Sequence, residues 1–479
     1  MRSGWFGLPF FGTKPEPAVV SCTLSGGGAR ASFQIGALAY LYEHDPAFSP
    51  TIFVGASAGA ILAAGLAQYA DRGEQHAWLE RMEQVWLGMR TSDDMFTPRE
   101  WYRRLQDEGP HWLELVHPPE PVNPRPRRLL FARRQEPEPP ATPASPTDPI
   151  EAALTPDQEL RAEWSLQQLS ALAGNVGRLP RIGSEMTAIW SGLERTQSMY
   201  RPGPVLQELL EPAIFQPGRV ATSGMTLRAA MVALESGEVR YMTETGTLVD
   251  RNNKAFDEDP HDLVLGLLAS CSIPGVFRAV PIGDETYVDG GTRENLPAEL
   301  AIGLLGASRN YVISSQNDGV QPRPNMAGES IFSVVLRSTE ILIDEAGRDE
   351  LEYAISAGAI AIYPEIQVHD AMTVHPGLMK IHLDYGWLRA AEVTLGLVDG
   401  PARRHRRIIE QRIHCLRLER RFLESPDSSE ARQALSDAKL QLRTLLPQAH
   451  PDALPPDAAD WWRTFERHPE PVEFAPWWV

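Results

Sequence analysis

Cysteine is scarce in this chain: Cys22, Cys271 and Cys415 are the only three in 479 residues. Thiols so few and so far apart support neither a disulfide framework nor a thiolate zinc site, and reduced thiols in a cytosolic setting are the simplest expectation. Positive charge is also in deficit, with 45 Lys and Arg against 63 Asp and Glu and a formal net charge of −18. That disfavours non-specific nucleic-acid binding, which needs many phosphate-neutralising cations. It also works against adsorption to an anionic membrane unless a local patch overrides it. Long apolar runs are missing too. No stretch of about 20 apolar residues could span a bilayer. The opening MRSGWFGLPFFGTKPEP breaks its apolar patch with Gly and Pro where a signal peptide would continue. The expectation is a soluble chain, cytoplasmic or peripheral at a membrane.

What is present is α/β patterning at two places. Residues 18–24 form a β-branched apolar run that stops at Ser25-Gly26-Gly27-Gly28, and Ala29–Tyr42 follows with a broad apolar helical face. A short strand over Thr51–Val54 ends at Gly55, and Ala58–Ala70 reads as a second helix. Strand, glycine loop, helix, strand, helix opens a domain with parallel strands. From Trp78 to about Gly224 the alternation is lost, although Trp101–Leu105 and Glu159–Leu172 have amphipathic spacing. Residues 117–149 are dominated by Pro with Arg and Glu and offer too little apolar surface to order, which suggests a linker or lid.

Strands return at 226–234 and 238–249, the latter with a turn at Thr245-Gly246, and an apolar helix covers Asp262–Cys271. Short strands at Thr286–Val288, Tyr311–Ser314 and Ala359–Tyr363, a long helix near 331–355, and helices at 402–423 and 429–445 complete the pattern. The expected organisation is an N-terminal segment 1–17, a core in two parts at 18–91 and 221–400, an insertion at 92–220, and a helical, aromatic extension at 401–479.

Three motifs carry chemistry. Gly55-Ala56-Ser57-Ala58-Gly59 fits Gly-x-Ser-x-Gly between a strand and a helix, where a sharp turn would project the Ser57 hydroxyl and flanking glycines would avoid clashes. Gly26-Gly27-Gly28-Ala29-Arg30 also follows a strand, leaving bare N–H groups at a helix N-terminus that could cradle a phosphate or an oxyanion. A dinucleotide fingerprint would need glycine at Ala31, and a P-loop would need Gly-Lys-Ser/Thr. Asp289-Gly290-Gly291 ends a strand, placing a carboxylate where it could enter the same crevice, although an aspartate there is also a common turn former.

In order and setting the three motifs resemble the patatin-like phospholipase family. The likeness extends to Ala269-Ser270-Cys271-Ser272-Ile273-Pro274-Gly275-Val276-Phe277 and to Asn295-Leu296-Pro297, and covers roughly 18–90 and 225–400. The resemblance implies a three-layer α/β/α core with a mixed, mainly parallel sheet and a serine lipid acyl hydrolase of phospholipase or lysophospholipase type. It implies Ser57 as nucleophile and Asp289 as general base. Gly26, Gly27 and Gly28 would form the oxyanion hole, with Arg30 orienting it. Gly55 and Gly59 would flank the elbow, and Gly290 and Gly291 the aspartate turn. It implies no metal or other cofactor and a lipid or phospholipid substrate. Ala31 departs from the family, which often has glycine there, and the 92–220 insertion is a second departure.

Two other classes compete. An α/β-hydrolase triad would add His369, His375 or His382, in the chain order Ser, Asp, His. A catalytically silent lipid-binding or scaffold protein would keep the fold alone, and a lipase gated by its insertion or by oligomerisation is a variant of the enzyme reading. The helix 403–422, with eight arginines among Ile and Leu, could lie on a membrane or pair with 429–445 and expose its charges. The aromatic tail, with Trp461, Trp462, Trp477 and Trp478, could sit at a bilayer interface or dock on the core. Weak peripheral membrane contact is expected, with no nucleic-acid partner and no assigned oligomeric state.

Overall fold

A computed structural model describes residues 18–107, 197–209, 211–317, 322, 326 and 331–479. The expected linker at 117–149 and the amphipathic stretch at 159–172 lie outside the described residues. The chain opens with β1 (Val20–Leu24), α1 (Ala31–His44), β2 (Ile52–Ala56), α2 (Ala58–Leu66) and α3 (Arg72–Gly88). A two-stranded ribbon of β3 (Phe96–Pro98) and β4 (Tyr200–Pro202) closes the undescribed segment, followed by α4 (Pro204–Leu209) and α5 (Pro217–Thr222). Then come β5 (Thr226–Ala233), β6 (Val239–Thr243), β7 (Leu248–Asp250), α6 (Leu263–Ser270), β8 (Val280–Ile282) and β9 (Glu285–Asp289). The chain continues through α7 (Ala298–Gly303), β10 (Arg309–Ile313), α8 (Ile331–Ser356), β11 (Ile360–Ile362), α9 (Pro376–Leu395), α10 (Gly400–Glu424) and α11 (Ser429–Leu445).

Nine strands make one mixed sheet in the order β11-β10-β1-β2-β5-β6-β7, with β9 on β5 and β8 on β9. The run β11 to β5 is parallel; the pairings that add β6, β7, β9 and β8 are antiparallel. Both faces are covered, so β1 and β2 are buried at every position and carry no charge. Side-chain alternation still sorts them: Phe53, Leu227, Ala229 and Met231 join the core under α1, α2 and α9, whereas Ile52, Val54, Ala230 and Val232 face α7. This is the three-layer α/β/α architecture, with a helical C-terminal region attached.

Two long helices depart from the sequence expectation, and the short α4, α5 and α7 and the strands β3, β4 and β8 carry no pattern that the sequence reading picked up. α3 runs straight through Trp78, where the pattern had seemed to end; Asp71 caps it by accepting the Gly73 and Glu74 N–H groups. The 20-residue α9 has no amphipathic signal because it is buried on nearly every side against α1, α3 and α10. Its contact with α1 is backbone-close: a Cβ on Gly386 would overlap the Phe33 carbonyl, and one on Gly36 the Leu383 carbonyl. Smaller differences are β2, which continues to Ala56, and α2, which stops at Leu66.

α10 and α11 pair through Ile408, Cys415, Phe422, Leu435 and Leu442, and the tail folds back on them with Trp461, Trp462 and Trp478 buried. The expectation that α10 exposes all its charge is corrected at Arg412. This side chain is 1% exposed, bonds Asp384 at 2.6 Å and Glu466 at 2.8 Å, and stacks on Trp461 at 3.8 Å.

Candidate active site

β1, β2 and β10 are parallel neighbours, so their C-terminal ends open into one crevice. β1 runs into the glycine loop, β2 into Ser57, and β10 into Ser314–Gln316. Ser57 adopts φ 51, ψ −129, a conformation that L residues rarely hold and that is found where a nucleophile is forced out of a strand–helix turn. Its neighbours explain why the turn is so tight. A Cβ on Gly55 would strike the Gly59 carbonyl, and one on Gly59 would strike the Leu24 and Ser25 carbonyls, so α2 can begin directly over β1. Ser270 Oγ pins the elbow, accepting the Ser57 N–H at 3.0 Å and donating to the Ala230 carbonyl at 2.6 Å.

The glycine loop is held from both sides. Gly26 N–H donates to the Asn295 carbonyl, and Ala29 N–H to the Ala371 carbonyl, each at 2.9 Å. Gly28 has φ +53, and a Cβ there would collide with Ala371, so two independent reasons require glycine. Among the described residues the N–H groups of Gly27 and Gly28 have no hydrogen-bond acceptor. They border the cavity beside Ser57. Arg30 is buried against this loop, with its Nε unpaired among the described residues.

Asp289 arrives from the other direction, at the end of β9 opposite Met231 of β5. Gly290 lets the turn press on the Ala230 backbone, and the Gly291 N–H donates to Asp289 Oδ1 at 2.7 Å. The carboxyl is 2% exposed. Burial pushes its pKa up to about 7; hydrogen bonding from Ser57 and from the Gly291 N–H pulls in the other direction. The Cys271 thiol also lies beside the Ser57 hydroxyl and is pushed up, first by burial and then by the Asp289 charge.

Gly26, Gly27, Gly28, Arg30, Ser57 and Asp289 thus line one cavity of about 120 Å³. The histidines of a would-be triad are engaged elsewhere. His382 contacts Ser32 and His369, His369 bonds the Asp370 carbonyl, and His375 accepts from the first turn of α9. Burial depresses the pKa of all three. Among the described residues no group of three or more His, Cys, Asp or Glu could hold a metal ion.

Sequence reasoning marked Asn295 only as part of a block resembling the family and missed the rest of the supporting frame. Asn295 donates to Gln316 at 2.7 Å, Gln316 donates to Asp344 of α8 at 2.8 Å, and all three border the cavity. Gln316 follows the end of a parallel strand, a position that does carry a weak signal. Asp344 sits mid-helix and carries none. The loop at Asp370-Ala371-Met372 is likewise visible only in three dimensions.

No described helix is long and apolar enough to cross a membrane. No curated protein matches the chain. Among solved structures, VipD from Legionella pneumophila is similar over 93% of this chain and 90% of its own, at 15% identity and TM-score 0.33. The ExoU–SpcU complex of the Pseudomonas aeruginosa type III secretion system is similar over 93% of this chain and 68% of that one, at 16% identity and TM-score 0.21. Scores this low carry no weight of their own. A family model, patatin-like phospholipase, matches residues 23–302, a span that takes in the glycine loop, Ser57 and Asp289. With more than half of its length matched in this way, the chain belongs to the patatin-like phospholipase family, a family of lipid hydrolases.

Proposed function

We propose that the protein cleaves acyl esters of lipids, of the phospholipase or lysophospholipase type, through a Ser57–Asp289 dyad. The observation that carries this is a buried carboxyl, pushed by burial to a pKa of about 7, that lines one cavity with a hydroxyl on a strained strand–helix turn. A base titrating near neutral pH accepts a proton efficiently there without a histidine. Ser57 Oγ attacks the ester carbonyl as Asp289 takes the hydroxyl proton. The carbonyl oxygen becomes an oxyanion opposite the Gly27 and Gly28 N–H groups, where each such donor is worth about 2.7–4 kcal/mol of barrier. Asp289 returns the proton to the departing alcohol or lysolipid. A water then attacks the acyl-serine, giving its proton to Asp289, and release of the fatty acid returns that proton to Ser57. No metal or cofactor enters any step.

Residues 18–91 and 221–400 act in this proposal as the two halves of the catalytic core, with 92–220 inserted and 401–479 appended. We place the lipid-facing side at α8, as peripheral contact from a cytoplasmic location. Thr339, Glu340, Ile343 and Asp344 border the cavity, and the next strip round that helix exposes Val334, Val335, Ile341 and Leu342. The arginine helix and the tryptophan tail, largely occupied with each other, are poorer candidates.

The reading is tested by assaying wild type, Ser57→Ala and Asp289→Asn on a defined phospholipid and lysophospholipid panel with product positions identified. Turnover by wild type should fall at least 10²-fold in either variant, the lower end of what a positioned general base contributes. Equal turnover in all three proteins would refute the dyad. A folded wild type that neither hydrolyses lipid nor reacts with a fluorophosphonate at Ser57 would instead mark a silent scaffold.

A further inference from the structure

The open space at the site does not end at Ser57. A second chamber of about 60 Å³ shares Gly28, Ser57 and Ile273 with the first. Its walls are almost wholly carbon. Among the described side chains around it, only the Ser57 hydroxyl, the Cys271 thiol and the Trp86 indole carry a hydrogen-bond donor. A polar group placed there would lose its water for these few partners at most, whereas a hydrocarbon chain would gain from leaving water.

Much of the wall comes from the two ends of the inserted segment. Met95 and Phe96 enter at β3, Pro202 at β4, and Val205, Leu206 and Leu209 from α4. Beyond them lies a third space of only about 10 Å³, bordered by Trp78, Phe215 and again Ile61, Leu206 and Leu209. The three shared residues therefore form the partition between the chambers. Trp78 is a fixed surface: its indole N–H donates to the Ile214 carbonyl at 3.0 Å, and its ring fills the place a Cβ on Gly65 would take. The inner space holds about one water-sized sphere.

We propose that this blind apolar passage takes the acyl chain of the scissile ester, and that Ile61, Leu206 and Leu209 set how long a chain the enzyme accepts, with Trp78 as the floor. The inference rests on Ser57 being the nucleophile, and it assigns a role to the flanks of the insertion: they are the acyl wall. Each methylene moved from water into such a chamber is worth about fourfold in binding.

The test is a chain-length series of p-nitrophenyl esters from butyrate to palmitate, with the ratio of kcat/KM for dodecanoate over butyrate as readout. Ile61→Trp fills the passage and should lower that ratio at least tenfold; Leu209→Trp, from the opposite wall, should do the same and covers the case of an Ile61 variant that does not fold. The double substitution Leu206→Ala, Leu209→Ala joins the chambers and should raise the ratio at least fourfold. Fluorophosphonate labelling of Ser57 monitors the nucleophile separately. Variants that label normally but keep the ratio within twofold of wild type would overturn the passage and leave the dyad standing. Absent labelling in folded wild type would remove the dyad itself, and the passage with it.

Discussion

Two regions of this protein bury carboxyl groups, and they treat them in opposite ways. At Asp289 the partners are neutral, a serine hydroxyl and a backbone N–H, and burial drives the pKa up to about 7. Where the C-terminal region meets α9, the partners are cations. Arg412 is shared between Asp384 and Glu466, and within the C-terminal region Lys439 meets Glu419. Burial pushes Glu466 upward as well, but the Arg412 guanidinium, with two hydrogen bonds of 2.8 Å, brings its carboxyl below the usual range. Depth alone therefore does not identify a reactive group. A buried carboxylate facing a cation, like Glu466, is held as a charge that rivets two elements together, although at Asp384 burial outweighs the same guanidinium and Lys380 and raises the pKa. One facing only neutral donors exchanges its proton near neutral pH.

Breaking the rivet should have the largest effect on stability. Arg412→Met leaves the buried Glu466 without its guanidinium and Asp384 with Lys380 alone, and should destabilise by about 3–5 kcal/mol, read from denaturant midpoints. Activity per folded molecule should survive. Asp289→Asn should go the other way. The folded-state pKa lies above the ordinary aspartate value of 3.8, so the folded protein holds this proton more tightly. The stabilisation it gives is fully present below about pH 4 and is lost as pH rises through about 7, by up to about 4 kcal/mol. Thermal unfolding should therefore show Asp289→Asn more stable than wild type at pH 8, with the difference vanishing near pH 4. The smallest effect lies outside both regions. Leu342, 67% exposed on α8, should when changed to Ser lower co-sedimentation with zwitterionic vesicles a few-fold, and unchanged sedimentation would remove α8 as the lipid-facing side.

The Asp289 half of this contrast was far more legible in the sequence than the Arg412 half. Gly55, Gly59, Gly28 and Gly290 are residues whose backbone or spacing admits little else, so short motifs mark them. The main-sheet strands other than β8 were readable because they are largely apolar and bounded by turn residues, whereas the short β3, β4 and β8 were not. α9 was not, since a helix buried all round has no periodic face. Arg412, Asp384 and Glu466 meet across separations that no local pattern encodes, and seven further arginines in the same helix hide the buried one. The acyl wall was hidden for a similar reason. Its residues come from both ends of a long segment and acquire meaning only when β3 and β4 pair.

The central claim is that Asp289 is the base for Ser57, and the rate of fluorophosphonate labelling measured against pH tests it most directly. In wild type the rate should rise with a midpoint near pH 7, as the carboxyl gives up its proton. In Asp289→Asn labelling should be at least 10²-fold slower and should lose that midpoint. An Asn variant that labels as fast as wild type, with the same pH profile, would contradict it.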